Sequence, residues 1–110
     1  MAEQDIRKKT DALYKKIAPV LSGLKGGQKT MTEGMLRNWC WYRCHVDELT
    51  EQIDSEGVIV MMPSGDKPNP ANQPLHQYTQ RMGDLYSKIM KALHDVGETK
   101  AADELAAFVR

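Results

Sequence analysis

The segment between residues 75 and 96 places the strongest constraint on how this chain can fold. Its apolar side chains recur at steps of three and four residues, which predicts a continuous apolar stripe on one helix. The stripe consists of Leu75, Tyr78, Met82, Leu85, Ile89, Leu93 and Val96. Asn69 can cap such a helix, and Pro70 can occupy its first turn. Because a seam of nearly three heptads needs a partner of similar length, we predict that a helix over residues 70–96 packs along another long helix.

A second helix that can serve as this partner is predicted over residues 31–56. Thr30 and Glu33 have the spacing of a reciprocal capping box, and Thr32 offers an alternative cap. Gly57 can end the helix. The apolar positions that define its core face are Met35, Trp39, Tyr42, Val46, Leu49 and Ile53.

Trp41 and the two cysteines of this helix are its candidate functional residues. Trp41 lies two residues from Trp39 and therefore on nearly the opposite side, so it either borders the core or meets a partner. Cys40 and Cys44 have no second pair that would complete a zinc site. We interpret them as buried thiols in a reduced compartment, with metal or redox work as the alternative.

Residues 57–68 are predicted to form an extended or β-hairpin-like elbow between the two long helices. Residues 58–62 (VIVMM) have strand composition without polar alternation, and residues 63–66 (PSGD) have turn chemistry. The segment can plug the core between the helices, or it can add an edge strand to a neighbouring subunit. The second interpretation makes the following residues candidate subunit contacts: Val58, Ile59, Val60 and Met61.

Two shorter helices complete a single all-α domain over residues 1–110. The first is predicted over residues 5–24, with a kink or break at Pro19. The second is predicted over residues 99–109, where Phe108 either docks on the core or protrudes toward another subunit. The expected architecture is two long antiparallel helices joined by the elbow, with an N-terminal helix and a short C-terminal helix.

The balanced overall charge hides a strongly polar distribution along the chain. Residues 1–30 hold seven Lys and Arg against three Asp and Glu, whereas residues 31–60 hold two against six. This excess can be a solvated helix face, or it can be a patch that contacts nucleic-acid phosphates. The candidate phosphate-binding residues are Arg7, Lys8, Lys9, Lys15, Lys16, Lys25 and Lys29.

No sequence pattern typical of an enzyme is present. The chain has no phosphate-binding glycine loop, no nucleophile–base pair at a known spacing and no metal signature, so we expect no catalysis, cofactor or metal site. No run approaches the roughly 18 apolar residues of a membrane span, and the first residues lack the layout of a signal peptide. We therefore expect a cytosolic protein that does not contact a membrane.

Several of these features occur in the same order in a family of phage terminase small subunits, which this chain resembles over roughly residues 8–97. The shared features are an aromatic helix face, an acidic stretch, an apolar extended run behind a glycine, a Ser-Gly turn, an Asn-Pro-Ala helix start and a leucine-patterned helix. In this chain they are residues 36–42, 48–56, 57–60, 63–65, 67–71 and 85–97. The Asn-Pro-Ala elbow is the most specific of them.

The resemblance implies a role in packaging viral DNA in the cytoplasm of a bacterial host. Such a subunit binds double-stranded phage DNA, assembles as a homo-oligomer (often a ring) and delivers the DNA to a large subunit with ATPase and nuclease activities. The alternative is a protein–protein module that does not bind DNA and that joins or redirects another terminase subunit.

Overall fold

Two long antiparallel helices determine the architecture of the molecule. The computed structural model describes residues 3–60, 65 and 67–109, and helices make up most of them, so the predicted all-α fold is confirmed. The elements in chain order are helix α1 (Glu3–Ile17), a 3-10 turn (Ala18–Leu21), helix α2 (Gly26–Glu56), strand β1 (Ile59–Val60), strand β2 (Lys67–Pro68), helix α3 (Asn72–Asp95) and helix α4 (Thr99–Val109).

The antiparallel pairing of α2 with α3 buries the apolar stripes unequally. Ile89 and Leu93, near the end of α3, are fully buried, whereas Leu75 and Tyr78, near its start, are half-buried. The 3-10 turn and α4 pack over the end of the helix pair where α2 begins and α3 ends, and they complete the core there. The buried core consists of Ile17, Leu21, Leu24, Leu36, Trp39, Cys40, Ile89, Leu93, Ala102 and Leu105.

The opposite end of the helix pair projects as an arm, which consists of the last turns of α2, the two strands and the first turns of α3. The molecule measures 56 × 25 × 22 Å, and the 31 residues of α2 account for most of the long dimension at about 1.5 Å per residue. Val46, Leu49 and Ile53 are half-buried, because α3 covers only one side of α2 there. Because the arm is only two helices thick, it buries little apolar surface. Local hydrogen bonds must therefore fix the conformation of the chain at its end.

Helix α1 ends two residues before Pro19, as the predicted break requires. Pro19 cannot donate a backbone hydrogen bond, and the chain changes from an α-helix to the 3-10 turn at Ala18. Leu21 of this turn is buried, and its carbonyl accepts a hydrogen bond from the Leu24 amide at 3.0 Å. The turn therefore directs the chain back along α1 as α2.

The capping box predicted at Thr30 and Glu33 is wrong, because α2 already begins at Gly26. The Thr30 hydroxyl donates to the carbonyl of Gly26 at 3.4 Å, and the Thr32 hydroxyl donates to a carbonyl four residues back at 2.7 Å. Both threonines thus lie inside the helix and bond to its preceding turn. Burial of Leu24 in the core sets the start of α2 and overrides the local capping signal.

A two-residue antiparallel ladder forms the elbow. Ile59 pairs with Pro68, and Val60 pairs with Lys67 of the same chain. Gly57 ends α2 with a φ of +90°, a conformation that favours glycine. Residues 61–64 and 66, which include the candidate contact Met61 and most of the predicted turn, lie outside the described residues.

Asn69 connects the end of α2 to the start of α3. It is 1% exposed, and its side-chain amide nitrogen donates to the carbonyl of Gly57 at 2.9 Å. Its side-chain oxygen accepts from the amide of Ala71 at 3.0 Å, and its own amide donates to the carbonyl of Val58 at 2.8 Å. Asn69 therefore stabilises the turn before α3 and does not itself cap the helix, which has Ala71 at its N-cap.

Replacing Asn69 by alanine should lower the free energy of unfolding by about 1–3 kcal/mol, because it removes the partners of the Gly57 carbonyl and of the buried Ala71 amide. Asn72→Ala is a matched control. The Asn72 side chain also donates to the elbow, at the Val58 carbonyl, but that carbonyl keeps the Asn69 amide as a donor. Urea denaturation measures both variants, and equal losses for the two would contradict the role given to Asn69.

Candidate nucleic-acid interface

The solvent face of α1 carries four lysines in two rows. Residues seven apart lie on nearly the same side of a helix, about 10.5 Å along its axis. Lys8 and Lys15 form one row opposite the buried residues of α1, and Lys9 and Lys16 form the other. All four are exposed. We call these four residues the lysine face.

The lysine face carries no ion pair among the described residues. The salt bridges in the described part of the chain involve other residues. They join Arg37 to Asp11 at 3.0 Å and Arg43 to Asp47 at 3.3 Å. Asp11 lies on the side of α1 that faces Arg37, about 40–60° around the helix from Lys8 and Lys15. The ion pair with Arg37 engages Asp11, and the exposed Asp5 lies beside Lys8 and Lys9, so the lysine face keeps an excess of positive charge.

Lys16 is the one member of the face with a described side-chain partner. Its ammonium nitrogen lies 5.4 Å from the centre of the Phe108 ring, in a cation–π contact. Phe108, a candidate oligomer residue, is 38% exposed. This contact links α4 to the lysine face.

The other three candidate phosphate-binding residues lie away from these rows. Arg7 projects from the side of α1 that faces α2 and lines a groove there. Lys25 is the N-cap residue of α2, and Lys29, which is half-buried, follows in its first turns. The structure therefore brings four of the seven candidates together on one helix face and places Lys25 and Lys29 at the end of the molecule where α1 also ends.

A groove of about 620 Å³ separates α1 from the exposed side of α2. Ile6, Arg7, Thr10 and Asp11 form its α1 wall. Its α2 side consists of Arg37, Asn38, Trp41, His45 and Glu48. Sequence reasoning missed this groove, although Asn38, Trp41 and His45 recur at three- and four-residue steps and so could have been assigned to one helix face.

Trp41 lies at the centre of an aromatic cluster in this groove. Its ring centre is 4.0 Å from that of His45 and 5.7 Å from that of Tyr78 on α3. Trp41 remains 39% exposed, whereas Trp39 is buried, as expected for residues two apart on a helix. Tyr42 completes the cluster, and its hydroxyl accepts a hydrogen bond from Arg81 at 3.2 Å. The neighbours of Trp41 hold its ring in a defined position beside the groove.

Two of the candidate subunit contacts at the elbow, Val58 and Ile59, project from the far end of the arm. Val58 and Ile59 are each 62% exposed, which is unusual for large apolar side chains that have no partner to cover them. Val60 follows in strand β1. These residues lie away from the lysine face, because α1 reaches only to about Glu48 of α2 while they follow its last residue.

The two cysteines are buried and free, as predicted. Burial raises the pKa of Cys40 to about 12, and the neighbouring Cys44 thiol adds to the rise. Burial also raises the pKa of Cys44, although a hydrogen bond with Thr10 opposes the shift. A thiol with a raised pKa holds little reactive thiolate at neutral pH, so these residues act as packing groups of the core.

No group of three or more His, Cys, Asp or Glu side chains in the described part of the chain could hold a metal ion. None of the helices described there combines the length and the apolar character needed to cross a membrane.

Comparison with protein-family models gives no match. Comparisons with curated proteins and with solved structures give no match either. Any assignment of function must therefore be argued from the residues and surfaces of this chain.

The raised pKa of Cys40 predicts a loss of stability in alkali. The unfolded chain releases this proton near pH 9, whereas the folded chain keeps it until about pH 12, so the free energy of unfolding falls as the pH rises between these values. The contribution of one such thiol approaches about 1.4 kcal/mol per pH unit. Urea denaturation of the wild type and of Cys40→Ala across this pH range isolates it, and parallel curves would contradict the assignment.

Proposed function

We propose that this chain is a non-catalytic, DNA-binding subunit of a viral DNA-packaging terminase, with the role of a small subunit. The observation that carries the DNA-binding part is the lysine face, where four exposed cations lie in two rows without ion-pair partners among the described residues. The packaging part rests on the resemblance of the elbow and helix patterns to phage terminase small subunits.

The lysine face suits the phosphates of double-stranded DNA. Lysine ammonium groups contact phosphates as point charges, and each contact releases counterions from the DNA. Such contacts position a protein on DNA without reading its bases. Sequence preference would then arise from several copies of the chain that engage one DNA molecule together, or from DNA bending.

Self-association of the subunit is a second part of the proposal. Val58 and Ile59 expose apolar surface at the end of the arm, and Phe108 exposes part of its ring at the opposite end of the molecule. An assembly through the arm would leave the lysine face of each copy open to DNA. The assembled subunit would then present the DNA to the large ATPase–nuclease subunit.

A protein–protein module that redirects another terminase subunit is the second candidate. The net charge of zero and the mixed charges around Trp41 favour it, since exposed tryptophan and arginine are enriched at protein contacts. The two candidates differ in whether the chain alone binds duplex DNA.

Reversing the charge of the lysine face should abolish duplex binding. The variant is Lys8→Glu/Lys9→Glu/Lys15→Glu/Lys16→Glu, and fluorescence anisotropy with a labelled duplex measures its affinity. For the wild type, four phosphate contacts predict a slope of about −3.6 in log K against log salt, which is about a 150-fold loss between 50 and 200 mM salt.

The matched control reverses four other exposed lysines and so reaches the same net charge. It is Lys67→Glu/Lys88→Glu/Lys91→Glu/Lys100→Glu, and it should keep most of the duplex affinity. Binding that falls equally in both variants would mean that only net charge matters. No binding by the wild type, together with tight capture of a purified terminase partner, would favour the protein–protein module.

Making the end of the arm more polar should reduce self-association. Val58→Thr/Ile59→Thr keeps the β-branched shapes but adds hydroxyls to both exposed side chains, so the fold should be retained. Light scattering should then give a lower mass than for the wild type. Val96→Thr changes another exposed valine and serves as the control. An unchanged mass for the double variant would rule out the elbow as the contact.

A further inference from the structure

We propose that the groove between α1 and α2 binds the base of an unpaired nucleotide, so that this chain prefers DNA carrying a single-stranded segment over blunt duplex. The inference rests on the proposed DNA-binding function, because the lysine face supplies the backbone contacts that bring a strand to the groove. It adds a second kind of contact and a substrate class.

The size and floor of the groove fit a nucleobase. About 620 Å³ falls within the range of about 300–1,000 Å³ that is typical of small-molecule sites. The Trp41 and His45 rings lie against each other with centres 4.0 Å apart, so a base would stack on the exposed face of this pair and not between the rings. Proteins bind unpaired bases by stacking them on such rings, and this stacking tolerates every base because each has a π-face.

Asn38 and Arg7 supply a hydrogen-bonding amide and a positive charge to the groove, whose walls also carry the carboxylates of Asp11 and Glu48. Asn38 is exposed at the groove and can form paired hydrogen bonds with a base edge through its amide. Arg7 places a guanidinium on the opposite wall, where a phosphate or sugar would lie. Arg37 is held by Asp11 and by the Tyr14 ring 4.3 Å away, so it shapes the wall and is not the cation we assign to the ligand.

The lysine face and the groove lie on adjacent sides of the same helix. Arg7 and Lys8 are consecutive residues of α1, and their side chains therefore project about 100° apart around its axis. A strand whose phosphates follow the row of Lys8 and Lys15 thus passes beside the groove. A base that turns toward α2 can enter it without moving the backbone off the lysines.

The balance of stacking and unstacking determines which DNA is preferred. Stacking a base on an aromatic side chain strengthens binding by about 5- to 150-fold. Extracting a base from an intact duplex weakens binding by a similar or larger factor. One groove therefore cannot open a duplex unaided, and the ligand must hold a base that is already unpaired.

The test compares two labelled DNAs with the same number of phosphates, one blunt and one ending in a thymine overhang. Phosphate contacts alone favour the blunt duplex, because single strands release fewer counterions per contact. We expect the wild type to bind the overhang DNA about fivefold or more tightly than the blunt DNA. Trp41→Leu should lose this preference while its affinity for blunt DNA stays the same, and Trp41→Phe should keep part of it.

Met31→Leu is the matched control, since Met31 is a 65% exposed apolar residue of α2 outside the groove. Tryptophan fluorescence gives an independent readout. Overhang DNA should quench the exposed Trp41 in the wild type, and the buried Trp39 that remains in Trp41→Leu should not respond. Circular dichroism checks that each variant is folded.

Three outcomes overturn the inference. Equal affinity of the wild type for both DNAs removes the base site but leaves the proposed DNA binding intact. A change of oligomeric mass in Trp41→Leu, with the overhang preference retained, identifies the groove as a protein contact. Failure of the wild type to bind either DNA overturns both the inference and the proposed DNA binding.

Discussion

The antiparallel contact between α2 and α3 is the constraint on which the rest of the structure depends. Both helices are long, and the rest of this 110-residue chain is too short to cover their apolar stripes from end to end. The 3-10 turn and α4 cover one end around Leu93 and Leu105, so the core is concentrated there. The other end remains a two-helix arm. This division separates the part of the molecule that provides stability from the part that is free to contact partners.

Asn69 shows how a weakly buried arm can still end in a defined structure. Hydrophobic burial near Val58 and Ile59 is small, because both side chains are exposed. The buried amide of Asn69 instead bonds to backbone groups on both sides of the elbow. Directional hydrogen bonds in a buried position fix geometry at a modest net gain in stability. The elbow can therefore keep a defined conformation while Val58 and Ile59 remain exposed to solvent.

The sequence predicted the helices better than their connections. The three- and four-residue steps identified α3 and its partner, and Pro19 marked the end of α1. The start of α2 was missed because burial of Leu24 outweighs the capping preference of Thr30. The groove was missed for another reason. It depends on how α1 lies against α2, and no local pattern reports that Asp11 meets Arg37 across 26 residues.

The geometry of α1 explains how a chain with no net charge can carry a basic surface. Its core side holds Ile6 and Ile17, its acidic Asp11 pairs with Arg37, and the remaining side carries four lysines beside the carboxylate of Asp5. The acidic residues that balance these lysines lie toward the arm, on the last turns of α2. Exposed charges more than about 8–10 Å apart are largely screened at physiological salt. A polyanion at α1 therefore responds to the local lysines and only weakly to the total charge, which is why the position of the charge matters more than its sum.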